Sequence, residues 1–267
     1  FSIWHVDDDF KEYPNADFSS IQQAVNAANN SDWIIVHNGT YEENIIVNKS
    51  LNIRSYSQNP ADTIIKANNS NDHVFYVTAD NVYISGFTVI GADDAAGIYL
   101  YSSNNSRIEN VNASNNEDGI YLSHSSNNTI VNNTVSNNDD GISLFSNNNT
   151  IANNTVSNNG CGIYLCESSS NIIANNTVSN NDYGIWLDYS NNNTIANNNV
   201  SSNNHYGIDL YDSSNNTIYL NNLINNTYQV SSSSSTNIWN SPEKITYTYK
   251  GKTYENYLGN YWDDYNG

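Results

Sequence analysis

The amino-acid sequence predicts an all-β chain wound into a single-stranded parallel β-helix, and three observations carry that expectation. The tetrad Gly-Ile-x-Leu recurs six times, at Gly97, Gly119, Gly141, Gly162, Gly184 and Gly207, with spacings of 22, 22, 21, 22 and 23 residues. Two shorter apolar beats fall between tetrads: Ile108, Ile130, Ile151, Ile173, Ile195 and Ile218, then Val111, Val135, Val156, Val178 and Val200. Stretches rich in Asn, Ser and Gly separate the beats, which is the chemistry of tight turns. Three short β-prone segments per ~22 residues match a solenoid whose coils stack on one another. Helical repeats need apolar periodicity sustained over about 10–15 residues, and no such stretch is present.

The elements follow in chain order. Ser19 or Ser20 caps an amphipathic helix within 17–28, with Ile21, Ala24, Val25 and Ala28 as its apolar stripe. Early strands are expected at Trp33–Val36, Asn44–Val47, Leu51–Ile53, Thr63–Ile65, His73–Val77, Val82–Ile84 and Phe87–Val89. From residue 34 to about 239 there is room for about nine coils of ~22 residues. Alternation within each tetrad turns Ile and Leu inward and x outward. Asn tolerates left-handed turn conformations, and stacked Asn side chains form ladders between coils. A hairpin at 245–254 and an aromatic segment at 257–262 provide a C-terminal cap. The expected layout is 1–32 for N-terminal strand and capping helix, 33–240 for the β-helix and 241–267 for the hairpin cap, one domain overall.

Composition narrows the function. The 267 residues include 27 acidic and 8 basic side chains, a net charge of −19, and there is no Lys or Arg between Glu109 and Glu243. Nucleic acid is therefore excluded as a partner, since nothing neutralises phosphate. Apolar runs of four or five residues exclude a membrane-spanning helix, and Phe1 reads as the start of a processed, secreted chain. Low hydrophobicity with high charge is also a signature of disorder; the periodic apolar residues contradict it here.

The segments Val6-Asp-Asp-Asp9, Phe18 to Val25, Ile34-Ile-Val36, Asn38-Gly-Thr-Tyr41 and Asn48-Lys-Ser-Leu51 resemble the N-terminal cap and first coil of pectate-lyase-like surface proteins. The Asn-Asn-Thr-Ile and Asn-Asn-Thr-Val repeats, with the terminal run Tyr257 to Tyr265, resemble NosD-type β-helix proteins, which are abundant on archaeal surfaces. This resemblance implies a right-handed helix and an extracellular, cell-surface location. Members include carbohydrate-active enzymes, a periplasmic protein serving copper-site assembly and surface proteins without assigned activity.

Candidate residues fall in four groups. Asp94, Asp118, Asp140 and Asp182, each just before a tetrad, are expected to stack as an acidic column. Such residues first fit a solvated turn, where Asp is favoured; the column also suits Ca²⁺, and Asp118 and Asp140 suit glycoside hydrolysis by paired carboxylates. The outward positions Tyr99, Tyr121, Tyr164 and Trp186 form an aromatic row for sheet stacking, a protein interface or glycan binding. Cys161 and Cys166 end a single strand, too far apart when extended to bridge each other unless the flanking turns fold back, so the expectation is a bond between chains, with free or in-chain cysteines as the alternatives. Fifteen Asn-x-Ser/Thr sequons, Asn29, Asn38, Asn68, Asn112, Asn132 and Asn225 among them, mark candidate glycosylation sites. The five scattered His residues show no metal-ligand spacing, and the absence of Met removes a thioether copper site.

Together these features predict a secreted, non-enzymatic structural protein of the cell surface. It requires no cofactor, with Ca²⁺ as the candidate ion, and assembles head to tail with copies of itself through 1–10 and 247–265. The alternative is a carbohydrate-active or glycan-binding β-helix, and, if an enzyme, a glycoside hydrolase rather than a lyase. The acidic mid-section repels uronates and lacks the base a lyase uses.

Overall fold

The computed structural model describes residues 1–264. Three parallel sheets of ten, nine and ten strands run along a right-handed β-helix, and each coil adds one strand to each. The tetrads lie in six-residue strands of the nine-stranded sheet, such as Asp140–Phe145 and Cys161–Cys166. Between these two run the three-residue strands Thr150–Ala152 and Thr155–Ser157, one in each of the other sheets. Ten strands at ~4.8 Å per step give a rod about 43 Å long.

Equivalent residues stack in register. Ile120, Ile142, Ile163, Ile185 and Ile208 form one fully buried column. A second column runs Ala113, Val135, Val156, Val178 and Val200. Val111, expected in that column, instead occupies the preceding turn, where its N–H donates to Asn133 Oδ1 at 2.9 Å.

The paired Asn residues divide the work of a turn. The first takes the left-handed region, as at Asn153 (φ 55°) and Asn175 (φ 57°). The second points inward and is buried, as at Asn154 and Asn176. Asn133 N–H donates to Asn154 Oδ1 at 2.9 Å, and Asn154 N–H donates to Asn176 Oδ1 at 2.9 Å. Three such Asn ladders and one Ser ladder pass turn amides from coil to coil, the latter including Ser125, Ser146, Ser168 and Ser190. Each satisfies buried backbone donors that the short strands leave over.

The ends differ in construction. Helix α1 (Ile21–Ala27) covers the first coil, burying Ile21, Ala24, Val25 and Ala28. Glu43 accepts from Ile21 N–H at 2.8 Å, Gln22 N–H at 2.9 Å and Ser20 Oγ at 2.8 Å, so the coil itself caps the helix. Gly39–Glu42 adds an early strand that the sequence pattern did not mark. At the far end, Trp239 and Trp262 close the last coil with ring centroids 6.0 Å apart. Beyond it, Ile245–Tyr249 and Lys252–Asn256 form an antiparallel hairpin separate from the three solenoid sheets. Tyr265, the last residue of the expected assembly segment, and residues 265–267 of the expected cap lie outside the described residues.

Candidate functional site

The outer face of the nine-stranded sheet holds most of the residues singled out above. Tyr76, Tyr99, Tyr121, Ser143, Tyr164, Trp186 and Asp209 succeed one another in register. Tyr99 and Tyr121 stack at 4.9 Å, and Tyr164 and Trp186 pack at 4.8 Å. Each of these rings is half-buried by its neighbours. The row is broken once, at Ser143, where a hydroxyl stands in place of a ring.

The break forms a hollow of about 290 Å³ lined by Asp118, Tyr121, Asp140, Phe145, Tyr164 and Cys166, with Ser143 and Leu144 beneath. Asp118 and Asp140 are paired in register. Ser143 Oγ lies 2.6 Å from an Asp118 oxygen and 3.5 Å from an Asp140 oxygen, so the two carboxyls flank a single hydroxyl. Burial pushes the Asp118 carboxyl up to about 7, reinforced by the charges of Asp140, Glu117 and Asp139 and opposed by the Ser143 hydrogen bond. Burial also raises Asp140, and hydrogen bonds from Cys161 and Ser143 hold it back. Burial therefore shifts both carboxyls toward the protonated, hydrogen-bond-donating form, more strongly at Asp118.

This arrangement makes a stability prediction. The folded Asp118 pKa lies above that of an unfolded carboxyl, so its neutral form favours folding at low pH. That advantage is lost as pH rises from about 4 through about 7. Asp118→Asn is expected to stabilise the protein at pH 8 by on the order of 2 kcal/mol, discounted for partial exposure, and to have no such effect at pH 4. Thermal melts of both proteins across that range check it.

Three expectations need correction. The four-residue acidic column does not form: Ala96, not Asp94, pairs with Asp118, and Cys161 and Tyr183 continue the column after Asp140. Asp94 and Asp182 are exposed in the preceding turns, and Asp182 accepts from Asn204 Nδ2 at 2.9 Å. The disulfide between chains is disfavoured because Cys161 is buried, with burial and Asp140 pushing its thiol well up. Cys166 is half-buried at the hollow, and both thiols are free. Among the sequons, Asn29, Asn68, Asn132 and Asn225 are exposed, whereas Asn38 and Asn112 are half-buried. Asn38 Oδ1 is enclosed without a partner, a poor place for a glycan.

Residues 25–267 match the family described as periplasmic copper-binding protein (NosD). The chain belongs to the NosD family. A cell surface glycoprotein of Methanothermus fervidus is 37% identical over 100 residues, which is 37% of this chain and 16% of that protein. The fold is similar to pectate lyase Pel9A (TM-score 0.68, 17% identity, covering 88% of this chain and 78% of that one). It is also similar to an alginate lyase from Paenibacillus (TM-score 0.57, 17% identity, 82% and 94% covered). The family and the surface relative indicate an extracellular or surface protein, and no helix among the described residues is long and apolar enough to cross a membrane.

The donor set of this NosD member does not fit copper. Among the described residues, the one grouping of three or more His, Cys, Asp or Glu side chains is Asp7, Asp8, Asp9 and Glu12, an all-oxygen set. Asp7 Oδ1 there accepts the Phe10 N–H at 2.9 Å, and Oδ2 accepts from Tyr13, so turn amides already occupy it. His5 and His37, distant in sequence, do meet, with Nδ1 of one 3.0 Å from Nε2 of the other and Tyr13 and Tyr56 stacked on His37. Two imidazoles hydrogen-bonded to each other, with no third nitrogen or sulfur ligand, leave copper under-coordinated.

Proposed function

We propose that this NosD-family chain is a structural unit of a cell surface, a rigid acidic rod that joins end to end with further copies. The observation that carries the reading is the C-terminal hairpin. Except for half-buried Ile245 and Tyr247, its ten strand residues are exposed, and a two-stranded sheet alone is marginal in water. Tyr247 and Tyr254 stack at 5.5 Å, and Tyr249 and Tyr257 are also exposed. Lys244, Lys250 and Lys252 give this end three of the chain's eight basic residues.

The opposite end is complementary. Asp8, Asp9 and Glu12 cluster there, and Ile3 and Phe10 are 54% and 43% exposed. A tyrosine-faced hairpin that carries Lys244, Lys250 and Lys252 against Glu255, meeting an acidic, apolar end, is a heterologous contact, the kind that propagates into filaments or lattices. The similarity to a Methanothermus cell surface glycoprotein supports a surface role, and the exposed turn sequons supply sites for glycans. The double variant Lys250→Glu/Lys252→Glu is expected to weaken association by about tenfold or more at low salt. Sedimentation velocity reads the difference; equal association by variant and parent removes the hairpin from the contact.

A further inference from the structure

We propose that the hollow at Ser143 is a binding slot for one uncharged sugar ring of a neutral glycan, held between Tyr121 and Tyr164 with its hydroxyls on Asp118, Asp140 and Ser143. This site is separate from the rod-end contact and stands without it.

The width of the slot follows from the register. Tyr121, Ser143 and Tyr164 occupy consecutive strands, so the two tyrosines are two inter-strand steps apart, roughly 9.6 Å. Elsewhere in the same row, rings pack at 4.9 Å and 4.8 Å. The row therefore lacks one ring at Ser143, and a ring entering there meets an aromatic face on each side. A volume of about 290 Å³ sits at the lower edge of small-molecule pockets, about 300–1,000 Å³, which suits one ring rather than several.

The lining selects the chemistry. Asp118, Asp140 and Ser143 form the polar side, and Phe145 and Cys166 form the apolar side. A purely aromatic guest desolvates two carboxyls whose shared donor is the Ser143 hydroxyl and offers them no further donor, which is costly. A pyranose offers apolar C–H faces to both tyrosines and hydroxyls to the polar groups. A uronate, sialate or phosphate is rejected, because the slot holds two acids in a stretch without one Lys or Arg from residue 110 to 242.

The test is calorimetric titration of the intact protein with tetrasaccharides of glucose, galactose, mannose and N-acetylglucosamine, with trigalacturonate as the charged comparison. At least one neutral tetramer is expected to saturate in the millimolar range or below, and trigalacturonate is not. Ser143→Tyr supplies the missing ring with the residue that the column already uses on both sides. It is expected to keep the fold, with stacking on both tyrosines offsetting the loss of the Ser143 hydroxyl from Asp118, and to weaken binding by at least about tenfold. Asp140→Asn, a second variant of nearly the same shape, is expected to weaken binding without lowering Tm. The proposal is overturned if no neutral tetramer binds, if trigalacturonate binds equally well, or if Ser143→Tyr binds like the parent. It is also overturned if Ser143→Tyr blocks self-association while no sugar binds, since the occupant is then an aromatic side chain of a second copy.

Discussion

Asn154→Ala is expected to lower the stability of the rod by on the order of 4 kcal/mol, one of the two largest single-residue effects foreseen. Four hydrogen bonds are lost at once, and the buried Asn133 N–H is left without its acceptor. Asn133 loses the acceptor for its N–H (2.9 Å) and its Nδ2 (3.1 Å), and Ile130 O and Asn176 Oδ1 lose a donor at 2.9 and 3.0 Å. The unpaired Asn133 N–H costs about 1–3 kcal/mol and each of the other lost bonds about 1 kcal/mol, because Asn133 Nδ2 keeps Ile108 O and Asn176 Oδ1 keeps the N–H of residue 154. Because coils contact only their neighbours, the loss concentrates at the junction of these coils and splits the rod's cooperativity there. The neighbouring Asn153 provides the contrast. It is exposed at φ 55°, so Asn153→Gly is expected to leave Tm nearly unchanged. Thermal melts by circular dichroism distinguish the two, with a drop of roughly 10 °C expected for Asn154→Ala alone.

Gly162→Ala is expected to cost about 3 kcal/mol or more. An added Cβ would lie 2.5 Å from the carbonyl oxygen of Gly184, 2.6 Å from Val178 Cγ1 and 2.9 Å from Asn181 Nδ2. The first is backbone of the adjacent coil and the last belongs to a ladder, so relief requires the coils to separate. The tetrad glycine is thus demanded by inter-coil spacing. Gly251→Ala in the hairpin tip meets no atom within 4 Å, and its φ of +74° limits the cost to about 1–2 kcal/mol. Comparing the chemical denaturation midpoints of both variants with the parent checks this ordering.

The coil architecture was legible because it is local and repeated. Period, inward Ile and Leu, left-handed Asn and the ladder all follow from 22-residue self-similarity and the stereochemistry of Asn. The acidic column failed through an offset that counting from the glycine reveals. Asp118 and Asp140 stand one residue before Gly119 and Gly141, whereas Asp182 stands two before Gly184 and Asp94 three before Gly97. A turn residue and an outward strand residue look alike in composition but differ in direction. The hollow also left a trace, since Ser143 interrupts a run of aromatic x positions; its meaning depended on knowing that the rings stack. Contacts between distant segments left no such trace. The meeting of His5 with His37 and the capping of α1 by Glu43 arise where the N-terminal segment folds onto the first coil, outside the repeat.

Sedimentation velocity of the intact protein, over a concentration series at low and high NaCl, tests the surface-rod function most directly. Joining of the lysine-bearing hairpin to the acidic end predicts species larger than the monomer that grow with concentration and dissolve as salt screens the contact. A single monomeric species at every concentration and at low salt would contradict it.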